Sequence, residues 1–159
     1  KYDQITIDRI NTFHPNYREW LKELYLEANN KLLPKGWRLR FTHVYRSNAE
    51  QDKLFNQRPK VTNAKGGQSI HNYGLAFDIV LLRDKDNNGT FESVSWEVDK
   101  YLKSFAAFFK SKGFAWGGDW KFYDAPHFEL SKGRTWRDFQ AMKMYKKDGL
   151  TYPILPNGF

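Results

Sequence analysis

Three side chains in the sequence have the types and the spacing of a metal site: His71, Asp78 and His127. Histidine and aspartate supply the nitrogen and oxygen donors that divalent metals such as zinc bind. A histidine and an aspartate seven positions apart, with a second histidine far along the chain, form a weak signal by themselves, because many proteins contain this spacing by accident. The case for a metal site therefore depends on the residues around them.

Asp78 has unusual surroundings, because it interrupts the apolar stretch from Leu75 to Leu82. An ionised carboxylate without a partner is costly in such a stretch. One interpretation pairs Asp78 with an arginine or uses it to cap a neighbouring loop. The other neutralises it with a divalent cation that His71 and His127 also bind.

The second interpretation has a chemical consequence. Two histidines and one carboxylate leave one position of a tetrahedral zinc ion open, as in catalytic rather than structural sites. Asp124 lies three residues before His127 and is a candidate general base near that open position. Asp119 is an alternative base, although it lies outside that spacing. The pattern predicts hydrolysis by a metal-activated water molecule.

The elements that must position these residues follow from periodicity and from turn signals. Apolar residues at helical spacing predict a first helix, and Ser47 with Glu50 forms a capping-box pattern before a second one. The predicted helices are Asn16 to Leu32, Asn48 to Gln57, Ser95 to Lys112 and Trp136 to Lys146, and the predicted strands are Arg38 to Tyr45, Gly74 to Leu82, Phe114 to Trp116 and His127 to Leu130. This order of elements favours an α+β fold.

Two loops and one histidine complete the prediction. Residues 58–72 contain one proline and two glycines and should form a long loop. Residues 84–89 resemble the first half of a calcium loop, but Ser95 stands where the bidentate glutamate should be, so a polar hairpin turn is favoured. His43 alternates with Phe41 and Tyr45 and is expected to be packed structurally.

Composition limits the class of protein. The 159 residues suit one domain, here 1–159, with a core at about 38–130 and a basic helix and tail at 131–159. No apolar stretch approaches the ~20 residues of a membrane span. The net charge of +8 indicates a polyanionic partner, and zero cysteines exclude thiolate zinc sites. Aromatic residues, at 18%, can fill a core or line a sugar or peptide cleft.

The motif residues resemble a known group of enzymes. Ser69-x-His71-x-x-Gly74-x-Ala76-x-Asp78, followed by Asp124-x-x-His127, resembles the paired signatures of the LAS-type zinc peptidases. That group includes D-Ala-D-Ala carboxypeptidases and dipeptidases, L-alanyl-D-glutamate endopeptidases and the zinc domain of hedgehog proteins. Further matches resemble the endopeptidase branch: Tyr45-Arg46-Ser47 with Gln51 and Leu54, His71-Asn72-Tyr73-Gly74, Trp116-Gly117-Gly118-Asp119-Trp120 and Pro126-His127-Phe128-Glu129. The resemblance spans about Arg38 to Leu130.

The resemblance implies roles for individual residues. His71, Asp78 and His127 would be the zinc ligands, and Asp124 would be the catalytic acid/base. Arg46 would face the substrate carbonyl, and Ser69 would contact substrate through its hydroxyl. Gln51, Tyr73 and Trp120 are expected to bind substrate near the cleft. The implied fold is a hedgehog or DD-peptidase type, a small, mostly antiparallel sheet with helices on one side and the zinc cleft on the other.

The expected function is hydrolysis of a stem-peptide bond in peptidoglycan, most consistent with the L-Ala-D-Glu bond. Two alternatives stay open, a D-Ala-D-Ala carboxypeptidase and a non-catalytic zinc-containing wall-binding module. The expected partners are the stem peptide and the anionic cell wall, with no nucleic acid, since no motif that reads it is present. A monomer in the cell wall, the periplasm or the extracellular space is expected, as a secreted enzyme or a phage lysin.

Overall fold

The computed structural model describes residues 1–93 and 98–159 and confirms an α+β architecture in that part of the chain. Two short 3₁₀ helices, Ile70–Tyr73 and Gly117–Asp119, accompany the main elements. The helices are α1 (Gln4–Ile10), α2 (Arg18–Lys31), α3 (Asn48–Asn56), α4 (Val98–Ser111) and α5 (Trp136–Gln140), and the strands are β1 (Trp37–His43), β2 (Ala76–Arg83), β3 (Glu92–Ser93), β4 (Ala115–Trp116), β5 (His127–Glu129), β6 (Met144–Lys147) and β7 (Leu150–Pro153).

Strand β2 is the centre of the main sheet. The strand order is β1-β2-β5-β4, and β3 pairs with the end of β2. All the pairings are antiparallel. In the register, Asp78 of β2 lies opposite His43 on one side and opposite His127 on the other. The sheet thus places these three side chains in one row.

Stacked aromatic rings form the core on one face of this sheet. The rings of Phe41 and Phe77 stack at 4.1 Å, and those of Phe77 and Phe128 stack at 5.3 Å. Phe109 of α4 packs edge-on against Phe77, and all four phenylalanines are fully buried. Because side chains alternate along a strand, burial of Phe77 and Phe128 in the core turns Asp78 and His127 to the opposite face.

The outer edge of β1 is closed by side chains instead of by another strand. The backbone N–H groups of Leu39 and Phe41 donate to Asn29 Oδ1 (2.8 Å) and to Thr6 Oγ1 (2.9 Å). The Leu39 carbonyl accepts a hydrogen bond from the Tyr25 hydroxyl at 2.7 Å. These contacts satisfy the exposed backbone groups of an edge strand, which would otherwise be free to pair with another chain.

Helix α1 is an element that the sequence patterns did not predict. Its N-cap is Asp3, whose Oδ2 accepts from the Thr6 backbone N–H (3.2 Å) and hydroxyl (2.6 Å). The same carboxylate receives two hydrogen bonds from Arg40 of β1, at 2.9 and 2.8 Å. One buried carboxylate therefore begins α1 and ties it to the sheet.

The prediction of a helix from Trp136 to Lys146 is wrong at its C-terminal half. Helix α5 does begin after Thr135, whose backbone N–H donates to Asp138, but it ends at Gln140. Strands β6 and β7 follow as a hairpin. Asp148 and Gly149 at its turn have φ values of 53° and 78°, the left-handed conformation that an Asp-Gly hairpin turn requires.

Residues 131–159 are therefore an integral part of the fold and not a basic helix with a tail. Tyr152 of β7 is fully buried, and its hydroxyl donates to the Thr12 carbonyl at 2.7 Å. His14 is also fully buried, with Nε2 2.8 Å from the Pro153 carbonyl oxygen. The C-terminal hairpin thus packs against the segment that joins α1 to α2.

The remaining predicted elements lie within a few residues of the observed ones. The capping box of Ser47 and Glu50 at α3 is confirmed. At residues 84–89, the Asp84 carboxylate accepts from the backbone N–H groups of Asn88 (3.0 Å) and Gly89 (2.8 Å), as in a polar turn. The helix predicted from Ser95 to Lys112 begins outside the described residues.

The helices also bear on membrane insertion. Within residues 1–93 and 98–159, no helix has the length and apolar character needed to cross a bilayer.

We expect Asp3→Asn to destabilise the fold by about 2 kcal/mol, since asparagine keeps the helix cap but loses the charged hydrogen bonds to Arg40. Burial raises the pKa of Asp3, but the hydrogen bonds from Arg40 and Thr6 outweigh it and lower the pKa overall. The stabilisation is therefore present above the unfolded-state pKa of about 3.9 and is lost as the pH falls through the folded-state value. Urea unfolding at pH 7 and at acidic pH measures both effects.

Asp8→Asn is the matched control, because Asp8 lies exposed on the same helix and, among the described residues, its side chain accepts a hydrogen bond only from Gln4. An equal change of unfolding free energy in the two variants would contradict the role of Asp3.

Candidate active site

Three donor atoms converge where the sequence predicts a metal site. One ligand atom each from His71, Asp78 and His127 lies within 4.8 Å of the others. Asp78 Oδ1 is 3.2 Å from His71 Nε2 and 3.0 Å from His127 Nδ1. The sheet register supplies Asp78 and His127, and the 3₁₀ helix just before β2 supplies His71. Two imidazoles and a carboxylate form a donor set that suits a divalent transition metal.

The other nitrogen of each imidazole is also fixed. His71 Nδ1 lies 2.7 Å from the Val44 carbonyl, which can only accept, so Nδ1 carries a proton and Nε2 is the nitrogen that faces the site. His127 Nε2 lies 2.8 Å from Glu129 Oε1. Outer partners of this kind orient metal-binding histidines and raise their basicity. The residues present therefore fit a bound metal ion.

Glu129 is a residue that the sequence analysis did not assign. It lies two positions after His127 on β5, so both side chains lie on the same side of the strand, and it is buried. That spacing of two within a strand was the available signal. The carboxylate itself could not be distinguished from an ordinary exposed one without the sheet register.

The charges in this row are strongly coupled. Burial by itself would raise the pKa of Asp78, but hydrogen bonds from His127 and His71 hold it well below its usual range. Burial would lower the pKa of His127, whereas Asp78 and Glu129 raise it to about 9. Two carboxylates around one imidazole thus create a negative site that favours a cation.

A network of backbone contacts holds the loop that carries His71. The Arg46 backbone N–H donates to the His71 carbonyl at 3.0 Å, and the Asn72 amide donates to the Arg46 carbonyl at 2.9 Å. Asn72 Oδ1 accepts from the backbone N–H groups of Gly67 and Ser69, both at 3.1 Å. Asn72 is a buried organiser of this loop, and the sequence analysis had quoted it only as part of a motif.

Gly74 ends this 3₁₀ helix in a conformation that only glycine adopts easily. Its φ is 69°, and a Cβ at this position would lie 2.6 Å from the ring of Tyr152. The C-terminal hairpin therefore presses directly on the turn between His71 and Asp78.

Arg46 faces the same cavity, and Gln51 holds it in place. Arg46 Nη1 donates to Gln51 Oε1 at 3.1 Å, and Gln51 Nε2 donates to the Ala64 carbonyl at 2.9 Å. Only 1% of Gln51 is exposed. Although Gln51 borders the cavity, both ends of its amide are occupied, so the structure gives it a positioning role in place of the expected substrate contact. Burial lowers the pKa of Arg46.

Asp124 lies on a tightly held loop at the edge of the site. Its backbone N–H donates to the Gly117 carbonyl at 2.9 Å, and its carbonyl accepts from the His127 N–H at 3.1 Å. A Cβ on Gly117 would lie 2.2 Å from the Asp124 carbonyl oxygen, so this approach requires glycine. Burial raises the pKa of Asp124, and the Asp78 charge adds to the rise. A raised carboxyl pKa suits a group that accepts and returns a proton.

The alternative base, Asp119, is placed elsewhere. It pairs with Lys110 at 2.6 Å, is about half exposed and does not border the cavity.

One cavity of about 570 Å³ is lined by His71, Asp78, His127, Glu129, Arg46, Gln51 and Asp124. Ser69 borders it and accepts a hydrogen bond from the His71 backbone N–H at 3.3 Å. Trp120 also borders it, with its ring 5.2 Å from that of His127. Residues 134–136, beyond the part of the chain that carries the resemblance, add Arg134, Thr135 and Trp136 to the wall. The cavity has the size of a ligand-binding cleft.

Tyr73 does not lie where the sequence analysis expected it. Its side chain is buried, stacks on Phe139 at 5.7 Å and donates to the Gly67 carbonyl at 2.6 Å. It does not border the cavity. These contacts support the loop before His71. The role of Tyr73 is therefore to pack that loop and not to contact a ligand in the cavity.

The expectation that His43 is packed structurally is also wrong. A register shift between Phe41 and His43 breaks the alternation, so Val44 enters the core and His43 turns towards the cavity. Its side chain is 58% exposed, and its Nδ1 lies 3.6 Å from Asp78 Oδ2. A one-residue bulge cannot be detected from alternation alone.

Comparisons with known proteins agree with this geometry. A family model described as D-alanyl-D-alanine carboxypeptidase matches residues 62–130, the segment that contains the three candidate ligands and Asp124. The peptidoglycan L-alanyl-D-glutamate endopeptidase CwlK of Bacillus subtilis is 38% identical over 127 residues, which cover 74% of this chain and 72% of the relative.

We expect Glu129→Ala to weaken divalent-metal binding by about 10–100-fold, since His127 loses the partner that orients it. Glu129→Gln keeps an oxygen acceptor for the His127 N–H and should weaken binding less. Competition with a chelating dye at constant pH measures both affinities. Equal metal affinity in the wild-type protein and in Glu129→Ala would contradict the orienting role.

Proposed function

This chain belongs to the D-alanyl-D-alanine carboxypeptidase family of metallopeptidases, and from that premise we propose that it is a zinc-dependent peptidoglycan endopeptidase that hydrolyses the L-Ala-D-Glu bond of the stem peptide. The convergence of His71, Asp78 and His127 in a cavity that Asp124 and Arg46 also border carries the proposal. The identity to an L-alanyl-D-glutamate endopeptidase supports the choice of bond.

Zinc is the metal proposed for this site. His71 Nε2, Asp78 Oδ1 and His127 Nδ1 would hold it, and the two histidine nitrogens with one carboxylate oxygen match the ligands of catalytic zinc. When bound, zinc polarises a carbonyl and lowers the pKa of a coordinated water molecule to about 7.

The chain's own residues supply the remaining chemistry. Asp124 accepts the proton of the attacking water and then delivers it to the leaving amine. The raised pKa of Asp124 helps this return step. Arg46, held by Gln51, donates hydrogen bonds to the carbonyl oxygen as negative charge develops there. Ser69 and Trp120 contact the substrate from the cavity wall.

A D-Ala-D-Ala carboxypeptidase is the second candidate, since the matching family model carries that description. The same metal site and Asp124 would serve either bond, so the two candidates differ only in how the peptide is placed. A non-catalytic wall-binding module is a weaker candidate, because Asp124 borders the cavity as a base should.

The wider setting of the enzyme is also part of the proposal. Residues 1–159 would form one catalytic domain of the hedgehog and DD-peptidase type, acting as a monomer in the cell wall, the periplasm or the extracellular space, whether as a secreted enzyme or as a phage lysin. The net charge of +8 supports attraction to a polyanion, and the anionic wall that surrounds the substrate is the polyanion we propose.

Digestion of purified peptidoglycan with and without a chelator tests the function. We expect fragments with new N-terminal D-glutamate, identified by mass analysis, and no fragments in the chelated sample until zinc is restored. Release of D-alanine alone would contradict the endopeptidase proposal and support the second candidate.

Substitutions separate metal binding from proton transfer. We expect His71→Ala and His127→Ala to lose both zinc and activity. Asp124→Ala should retain zinc and lose activity by about 10²–10⁴-fold, because it removes only the acid/base group. Metal analysis of the purified proteins and initial rates on a stem peptide measure the two properties.

Asp119→Ala is the control for this series, since Asp119 is an acid on the same stretch of chain but outside the cavity. Hydrolysis by Asp124→Ala at the wild-type rate would contradict the acid/base role of Asp124.

A further inference from the structure

Two aromatic side chains on the loop between Trp120 and Asp124 lack a ring partner within the described part of the chain. Phe122 is 83% exposed and Tyr123 is 67% exposed, the two largest values for bulky apolar residues there. Leaving a phenylalanine in water forgoes the favourable free energy of burying its ring. Adjacent exposed aromatic residues commonly mark a binding surface.

The backbone that carries these side chains is held on both sides. The N–H groups of Trp120 and Asp124 both donate to the Gly117 carbonyl, at 3.2 and 2.9 Å. The Trp116 indole N–H donates to the Ala125 carbonyl at 2.7 Å. A surface presented on a fixed loop loses little conformational entropy when a ligand binds.

The same loop is continuous with the cleft. Trp120 and Asp124, on either side of the aromatic pair, both border the cavity. The Cα atoms of Phe122 and Asp124 are two residues apart and so lie within about 7 Å of each other. A ligand on the aromatic pair would therefore lie beside the bond that is cleaved.

We propose that Phe122 and Tyr123 form a saccharide subsite that binds the amino sugar to which the stem peptide is attached. This inference rests on the proposed function. The L-alanine of a stem peptide is joined through its amine to the lactyl group of that sugar, so one residue of about 3.5 Å and a short linker separate the sugar from the scissile carbonyl. The apolar C–H faces of a pyranose ring pack on aromatic rings, and the tyrosine hydroxyl adds a hydrogen-bonding group.

The position of the cleaved bond determines which group would bind at Phe122 and Tyr123. An enzyme for the L-Ala-D-Glu bond must accommodate the sugar, whereas the D-Ala-D-Ala end of the stem peptide lies several residues away from it. Phe122 and Tyr123 directly precede Asp124 in the chain, so they lie near the reacting centre, as the first case requires.

The test compares two substrates with the same peptide, one free and one attached to its disaccharide. For the Phe122→Ala/Tyr123→Ala double variant we expect KM for the glycan-linked substrate to rise about tenfold, with kcat retained. For the free peptide, in which the subsite is empty, KM should stay within about twofold of the wild-type value. The exposure of both side chains means that their removal takes no packing from the core.

Tyr2→Ala is the matched control, because Tyr2 is an aromatic residue 47% exposed at the N-terminus and does not border the cavity. Sedimentation with glycan strands stripped of their stem peptides gives a readout without hydrolysis. We expect the wild-type protein and Tyr2→Ala to bind these strands and the double variant to lose binding.

An equal rise of KM for both substrates would overturn the inference, since the pair would then contact the peptide. Unchanged KM for the glycan-linked substrate would overturn it as well. Cleavage of the free peptide by the wild-type protein tests the proposed function separately, so the two failures are distinguishable.

Discussion

The Asp78 carboxylate is the constraint on which the rest of the structure depends. It lies on the central strand of a sheet whose other face is packed with stacked phenylalanines, so its charge needs partners on its own face. Its partners are the imidazoles of His71, from the 3₁₀ helix before β2, and of His127, from the neighbouring strand β5. The loop contacts around Asn72 and the C-terminal hairpin fix the 3₁₀ helix that carries His71, and the sheet register fixes β5.

Residue types and local motifs were sufficient to predict the main elements and the three side chains that converge as candidate ligands. His71, Asp78 and Asp124 stand in short motifs, and the signals for α3 are local. The predictions failed where contacts between distant parts of the chain determine the orientation of a side chain. A bulge after Phe41 turns His43 to the cleft, and packing under the loop buries Tyr73. The Asp-Gly turn at 148–149 was a readable hairpin signal that helical spacing from Trp136 obscured.

The cleft is assembled from distant parts of the chain, which explains why sequence motifs describe it incompletely. Gln51 and Asn72 act through Arg46 and through the backbone, so their importance is visible only from their hydrogen-bond partners. Residues 134–136 border the cavity from beyond the segment that carries the family motifs.

The contact between Tyr152 and Gly74 has a consequence for the order of synthesis. A ribosome makes the turn after His71 long before it makes β7, whose tyrosine ring covers that turn. Until β7 leaves the ribosomal tunnel, the turn lacks this cover. The turn between two candidate metal ligands therefore gains its full set of packing contacts only after β7 has been synthesised.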